Sequence, residues 1–135
     1  PESSDPDETS GTEIVDVSVL TDCAFILNAN SKYDIALKVC DRAMQNGPED
    51  PAIYSMRGWA LLGLERYDDA LDDLDHSLRI NPDNVITLQN KAYCLINLGR
   101  CDEVSGIVAH LNSLTNTDYI HNYYDYLTGL CGGTP

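Results

Sequence analysis

The chain has 135 residues, 22 acidic against 8 basic, for a formal net charge of −14. That length suits one domain with its own core, and no apolar run approaches the roughly 18–20 residues a membrane-spanning helix needs. A field of this sign repels phosphate backbones and anionic bilayers, so neither nucleic acid nor membrane is an expected partner, and basic or apolar partners are favoured.

Residues 1–13, PESSDPDETSGTE, are acidic and nearly devoid of apolar groups; they are expected to be a disordered tail. No basic leader with an apolar core precedes the first periodic segment, so no signal peptide is expected. The chain opens on Pro1, as a processed form or an excised domain would. The folded domain is expected over 14–130. A first helix is predicted over 17–29, with Asp16 as its N-cap. Ser31 is predicted to cap a second helix, with Asp34 at capping-box spacing. That helix carries the apolar rhythm Tyr33, Ala36, Leu37, Cys40, Ala43, Met44 and stops at Gly47-Pro48. Asp50 before Pro51 opens a third helix over 51–63. Glu65-Arg66 makes a turn, and an acid-rich fourth helix covers 67–80. Asn81-Pro82-Asp83-Asn84 ends it. Helices over 85–97, stopping at Gly99, and over 101–113 follow. A last helix is predicted over 118–129, with Ile120, Tyr123, Leu127 and Leu130 on its buried stripe. Residues 131–135 are expected to be a disordered Gly-rich end.

The pattern repeats every 34 residues. Tyr67, Ala70, Leu71 and Pro82 map back onto Tyr33, Ala36, Leu37 and Pro48, and forward onto Cys101, Val104, Ser105 and Asn116. Tyr54, Gly58 and Leu61 map onto Leu20, Ala24, Leu27 and onto Leu88, Ala92, Leu95. Three units result, at about 17–50, 51–84 and 85–118, the last the most degraded in its second helix. Small residues recur where paired helices must approach closely. The middle unit, with Tyr54, Gly58, Leu61, Tyr67, Ala70, Leu74, Leu78 and Pro82, resembles the tetratricopeptide repeat. It lacks that family's Trp at the fourth position, where Tyr54 stands. The resemblance implies an all-α, right-handed superhelical stack of antiparallel helix pairs, with 118–129 as the helix that caps the last apolar face.

The resemblance also implies a concave groove lined by the first helix of each unit. Its ninth position reads Phe25, Trp59 and Tyr93, an aromatic ladder with 34-residue rungs. Neighbouring inward positions add Met56, Leu62, Ile86 and Ile96, with Asp22, Asn28, Ser55, Gln89, Asn90 and Asn97 as polar complement. Such a groove suits an apolar or basic partner peptide anchored on aromatic side chains. Some family members clamp the acidic tails of heat-shock chaperones with inward basic residues; the matching positions here are Thr21, Phe25, Met56, Ile86 and Asn90, so acidic-tail binding is not expected.

Asp68, Asp69, Asp72 and Asp73 form a secondary acidic surface on the fourth helix. Asp68, Asp72 and His76 share a helical face, yet acids near a helix N-terminus are ordinary, and no metal is expected. No nucleophile–base constellation or phosphate-cradling glycine loop is present; neither enzyme activity nor a cofactor is expected. The five cysteines form no CxxC pair or metal spacing. Cys23, Cys40, Cys94 and Cys101 fall in the repeats and read as small, mostly buried hydrophobes. Unpaired buried thiols suit a reducing compartment, hence a cytoplasmic location. Cys131 is the one expected to react. The leading expectation is therefore a non-enzymatic adaptor that binds another protein. Two alternatives are a small acidic chaperone for a secreted or aggregation-prone protein, and a self-assembling module such as a homodimer.

Overall fold

The computed structural model describes residues 16–47, 49–115 and 118–132, with side chains in the last stretch from Tyr124 to Cys131. The expected tail over 1–13 and the last three residues lie outside the described residues. Seven α-helices and no strand are present among the described residues: α1 Val17–Ala29, α2 Tyr33–Asn46, α3 Pro51–Gly63, α4 Tyr67–Ile80, α5 Val85–Asn97, α6 Val104–Leu114 and α7 Asp118–Gly132. Each helix packs on the next, and α1 on α3 and α3 on α5. Three-residue turns join α1 to α2 and α3 to α4, so these pairs run antiparallel.

The 34-residue period is physical. Asp16, Asp50 and Asn84 are the N-caps of α1, α3 and α5, their side chains accepting from the amides of Ser18 (2.9 Å), Ala52 (2.9 Å) and Thr87 (3.0 Å). Each satisfies a helix-start donor that would otherwise be unpaired. The same three helices end alike. Ser31, Glu65 and Gly99 adopt left-handed backbone, with φ of 61°, 62° and 73°. Behind them the amides of Lys32, Arg66 and Arg100 reach back to the carbonyls of Leu27, Leu61 and Leu95 at 2.8, 2.9 and 2.8 Å. This is the Schellman ending, repeated three times. It corrects the expected role of Ser31. The residue is consumed in closing α1, Lys32 stands at the N-cap of α2, and no side-chain cap bond forms there.

The core follows the small residues. Ala24, Gly58 and Ala92 are buried at one repeat position, and Ala36, Ala70 and Val104 at another. At Gly58 a Cβ would lie 2.7 Å from Leu74 Cγ, so α3 and α4 approach as closely as they do only because position 58 has no side chain. One cluster gathers Leu20, Ala24, Cys40, Ala43, Ile53 and Met56 between α1, α2 and α3. A larger one runs from Leu61 and Leu74 through Leu88, Leu95 and Leu111 to α7.

Three expectations near the C-terminus are corrected. The segment 101–113 is a 3-10 turn, Cys101–Glu103, followed by α6. Helix α7 runs to Gly132 and takes in Cys131, which the Gly-rich composition places in a disordered end. Its buried stripe is Tyr124 and Leu127, both fully buried, while Leu130 is 46% exposed; Ile120 and Tyr123 lie outside the described side chains. Two contacts tie α7 in this setting: Cys131 forms a disulfide with Cys101, with Cα atoms 5.2 Å apart, and Gln89 Nε2 donates to the Tyr124 hydroxyl at 3.4 Å. The free thiols are Cys23, exposed, and Cys40 and Cys94, buried. No helix among the described residues is long and apolar enough to cross a membrane.

Candidate functional site

The aromatic row runs along α1, α3 and α5. The rings of Phe25 and Trp59 meet edge to face, centroids 5.7 Å apart and planes at 76°, the geometry that sets a ring's positive rim against its neighbour's face. Between Trp59 and Tyr93 the row opens into a cavity of about 410 Å³. Phe25 is 43% exposed, Ile86 40% and Tyr93 37%. Leu62 and Ile96 are partly buried against the core, and Leu62 and Asn90 line the cavity. Met56 is corrected: it is buried among Ile53, Ala24 and Cys40 and does not face the groove. Two of the expected polar complement are likewise interior. Asn28 is buried, its Nδ2 donating to the Met56 carbonyl at 3.0 Å. Ser55 is buried and shares a 2.7 Å hydrogen bond with the Thr87 hydroxyl.

Sequence reasoning missed the other walls of the cavity: Tyr33, Tyr67, Gly63 and Glu65. Tyr33 and Tyr67 were legible only as repeat equivalents. A Cβ at Gly63 would collide with the Tyr33 ring at Cγ, Cδ1 and Cδ2, so the glycine seats that ring on the end of α3. Glu65 stands in the left-handed turn position and is exposed. It is the one ionisable carboxylate on the lining. Asn97 Nδ2 donates to the Tyr93 carbonyl at 2.8 Å, whereas Asn90 Nδ2 is buried without a hydrogen-bond partner among the described residues.

On the outer face the four aspartates separate. Asp68, Asp69 and Asp72 are exposed, but Asp73 is buried. Arg57 Nε donates to one Asp73 oxygen at 2.7 Å and Nη2 to the other at 3.0 Å; Nη1 reaches Asp41 at 3.2 Å. Asp73 therefore is not part of the acidic surface, because a buried carboxylate stays charged only against a partner. The hydrogen bond to Asp73 raises the Arg57 pKa above its ordinary value despite partial burial. Arg66 pairs with Asp69 at 2.9 Å. These residues, with Asp72, line a second cavity of about 380 Å³ whose basic groups are already engaged. His76 turns its ring onto Tyr54, centroids 3.9 Å apart. No group of three or more His, Cys, Asp or Glu among the described residues is placed to hold a metal ion.

A stack of helix pairs whose caps and turns recur every 34 residues defines a helical-repeat fold. Residues 51–84 match the family model of the tetratricopeptide repeat, and the chain has the tetratricopeptide-repeat fold, with three helix pairs and a terminal helix among the described residues. No curated protein matches it. Among solved structures it is similar to the first tetratricopeptide domain of Spaghetti (RPAP3), bound to the HSP90 peptide SRMEEVD, at 17% identity and a TM-score of 0.73, covering 86% of this chain and 95% of that one. It is also similar to YrrB, described as a tetratricopeptide protein with an unusual peptide-binding site: 20% identity, TM-score 0.74, 94% of this chain and 64% of that one. PcrH in complex with the chaperone-binding region of PopB gives 16% identity and a TM-score of 0.64, with 98% of both chains covered. PcrH from Pseudomonas aeruginosa gives 15%, 0.67, 98% and 95%.

Proposed function

We propose that this chain is a non-enzymatic protein-interaction module that takes a partner segment, apolar or basic, into the groove lined by Phe25, Trp59, Leu62, Ile86, Asn90, Tyr93 and Ile96. The observation that carries the reading is the opening between Trp59 and Tyr93, a cavity of about 410 Å³ on a row that continues as exposed aromatic and aliphatic side chains. Exposed apolar surface in a continuous row marks interaction sites. The likeness in fold to proteins whose structures hold a bound peptide supports it. An acidic peptide such as the one in the RPAP3 complex does not fit, given the −14 charge and Glu65 on the lining. The test is partner capture by the full chain and by Trp59→Ala, with helicity checked by circular dichroism. Lost capture at unchanged helicity is expected; capture that persists with Phe25, Trp59 and Tyr93 all removed overturns the reading. The chaperone alternative draws support only from the shared fold of PcrH.

A second reading, self-association, has its own observation. Val19, Cys23 and Ile26 are exposed on α1, Val19 by 51% and Ile26 by 59%. One period on, Ile53 and Ala60 are buried, and Thr87 and Cys94 after them, because α2 and α4 pack on α3 and α5. Sedimentation across a concentration series tests it: a dimer broken by Ile26→Lys is expected, and a monomer throughout the micromolar range ends it. A cytoplasmic location rests on the unpaired thiols of Cys40 and Cys94, and the Cys101–Cys131 bond weighs against it.

A further inference from the structure

The geometry points to a basic side chain as the anchor that fills the gap in the aromatic row: the groove reads its partner by an arginine or lysine inserted between Trp59 and Tyr93. This rests on the groove reading and names the chemistry of its ligand. Four rings, those of Tyr33, Trp59, Tyr67 and Tyr93, wall the cavity. Aromatic faces attract a cation through their quadrupole, and a box of them is a general solution for holding one. Glu65 is the lining's only ionisable carboxylate. Its equivalents one period away are Ser31 and Gly99, so of the three left-handed turn positions only the one at this cavity carries a carboxylate. Glu65 has no ion pair among the described residues, whereas its neighbour Arg66 is turned away onto Asp69. An apolar anchor answers only the rings; a guanidinium or ammonium group answers both the rings and the charge.

The backbone of the same ligand has a partner too. Asn90 lines the cavity, and its Nδ2, closed off from solvent, is a donor without an acceptor among the described residues. A turn of that amide toward the cavity would let a peptide carbonyl alongside the inserted side chain supply the missing acceptor. The site is thus built for an extended segment with one buried base, and the net charge of −14 brings such segments to the surface from a distance.

Selection of a random heptapeptide display library on the immobilised full chain tests this, followed by titration of the selected peptide against Trp59 emission, the chain's one tryptophan. The selected pool is expected to fix a basic residue at one position. Replacing that base by a neutral isostere is expected to weaken binding about tenfold, near 1.4 kcal/mol. Glu65→Gln, which alters the total charge by one, is expected to lose as much against the basic peptide and nothing against the neutral one. Tyr93→Ser is the second variant; its side chain is partly exposed, so the fold does not depend on it. It is expected to abolish binding, read by fluorescence anisotropy of a labelled peptide. An apolar pool that needs Tyr93 and ignores Glu65 overturns the basic anchor and leaves the groove standing. A basic pool that ignores Glu65 and needs Asp69 and Asp72 overturns it in favour of the outer face. A pool with no dependence on Trp59 or Tyr93 overturns both readings.

Discussion

Arg57 closes both donors of one guanidinium edge on Asp73, Nε at 2.7 Å and Nη2 at 3.0 Å, joining the first helix of the middle repeat to its second. The contact between α3 and α4 at this point is thus ionic. Asp73 keeps only 9% of its side chain exposed, Arg57 29%. Removing one partner of such a pair strands a charge, which costs about 3–5 kcal/mol when burial is complete. Arg57→Leu strands Asp73 in a nearly closed site, and a loss of about 2–3 kcal/mol is expected, reduced because water still reaches one side. Asp73→Leu is expected to cost less, since Arg57 retains Asp41 at 3.2 Å. The double change is expected to recover most of the loss. Urea unfolding of the four proteins measures the coupling; additive effects of the two changes would contradict it.

Gly58 is a tight approach of α3 to α4, with Leu74 Cγ and Cδ2 both 2.7 Å from where a Cβ would sit and the Ala70 carbonyl at 3.3 Å. Gly58→Ala raises helix propensity by about 1 kcal/mol. Overpacking against Leu74 costs about 1–3 kcal/mol. A net loss of about 1 kcal/mol is expected, and Leu74→Ala, which opens space beside the new methyl, is expected to make the pair less than additive. A stabilised Gly58→Ala protein in thermal unfolding would show that the helices can separate freely.

The helix boundaries and the repeat were legible because their signals are local. Asp16 and Asp50 announce the starts of α1 and α3, and Gly99 the end of α5; all three do what their residue types do best. Ser31 misled because serine favours a cap, and the chain places it where Gly99 stands one period later. Met56 and Asp73 misled for a different reason. A helical face is readable from spacing, but whether a neighbour covers it depends on α2 and α4, and that is tertiary. Cys101 and Cys131 lie 30 residues apart, and only the docking of α7 brings them together. The ladder residues Phe25, Trp59 and Tyr93 were readable from their spacing, while the walls from Tyr33, Tyr67 and Glu65 come from turns and second helices folding back over the groove.

Ser31 carries a left-handed backbone, φ 61°, that costs an L-residue about 1–2 kcal/mol. Glycine removes that cost and returns about 0.4–1 kcal/mol to the unfolded state. Ser31→Gly is therefore expected to stabilise the chain by about 0.5–1 kcal/mol, with Ser31→Val destabilising, both read from the denaturation midpoint. The comparison with Gly99→Ala, φ 73° and with nothing within 4 Å of its Cβ position, isolates the backbone: that change is expected to destabilise although space is open.

Burial pushes the thiols of Cys40 and Cys94 up to about 12, with Asp41 and Asp75 respectively adding to the effect, against an ordinary value of 9.0. Two consequences follow from the neutral thiol being the folded form. A thiol-reactive dye at neutral pH is expected to label one group, Cys23, in the native oxidised chain, three in denaturant, and five after reduction in denaturant. Stability also acquires an alkaline limb. The unfolded chain releases these protons near pH 9 while the folded chain holds them to about pH 12. Their contribution is whole below pH 9 and lost as pH rises through that window. Unfolding midpoints measured from pH 8 to pH 11 are expected to fall, and to fall less in Cys40→Ala and Cys94→Ala, whose absolute stability at pH 8 is lower for lost packing. An identical pH slope in wild type and both variants would assign the alkaline loss to tyrosines instead.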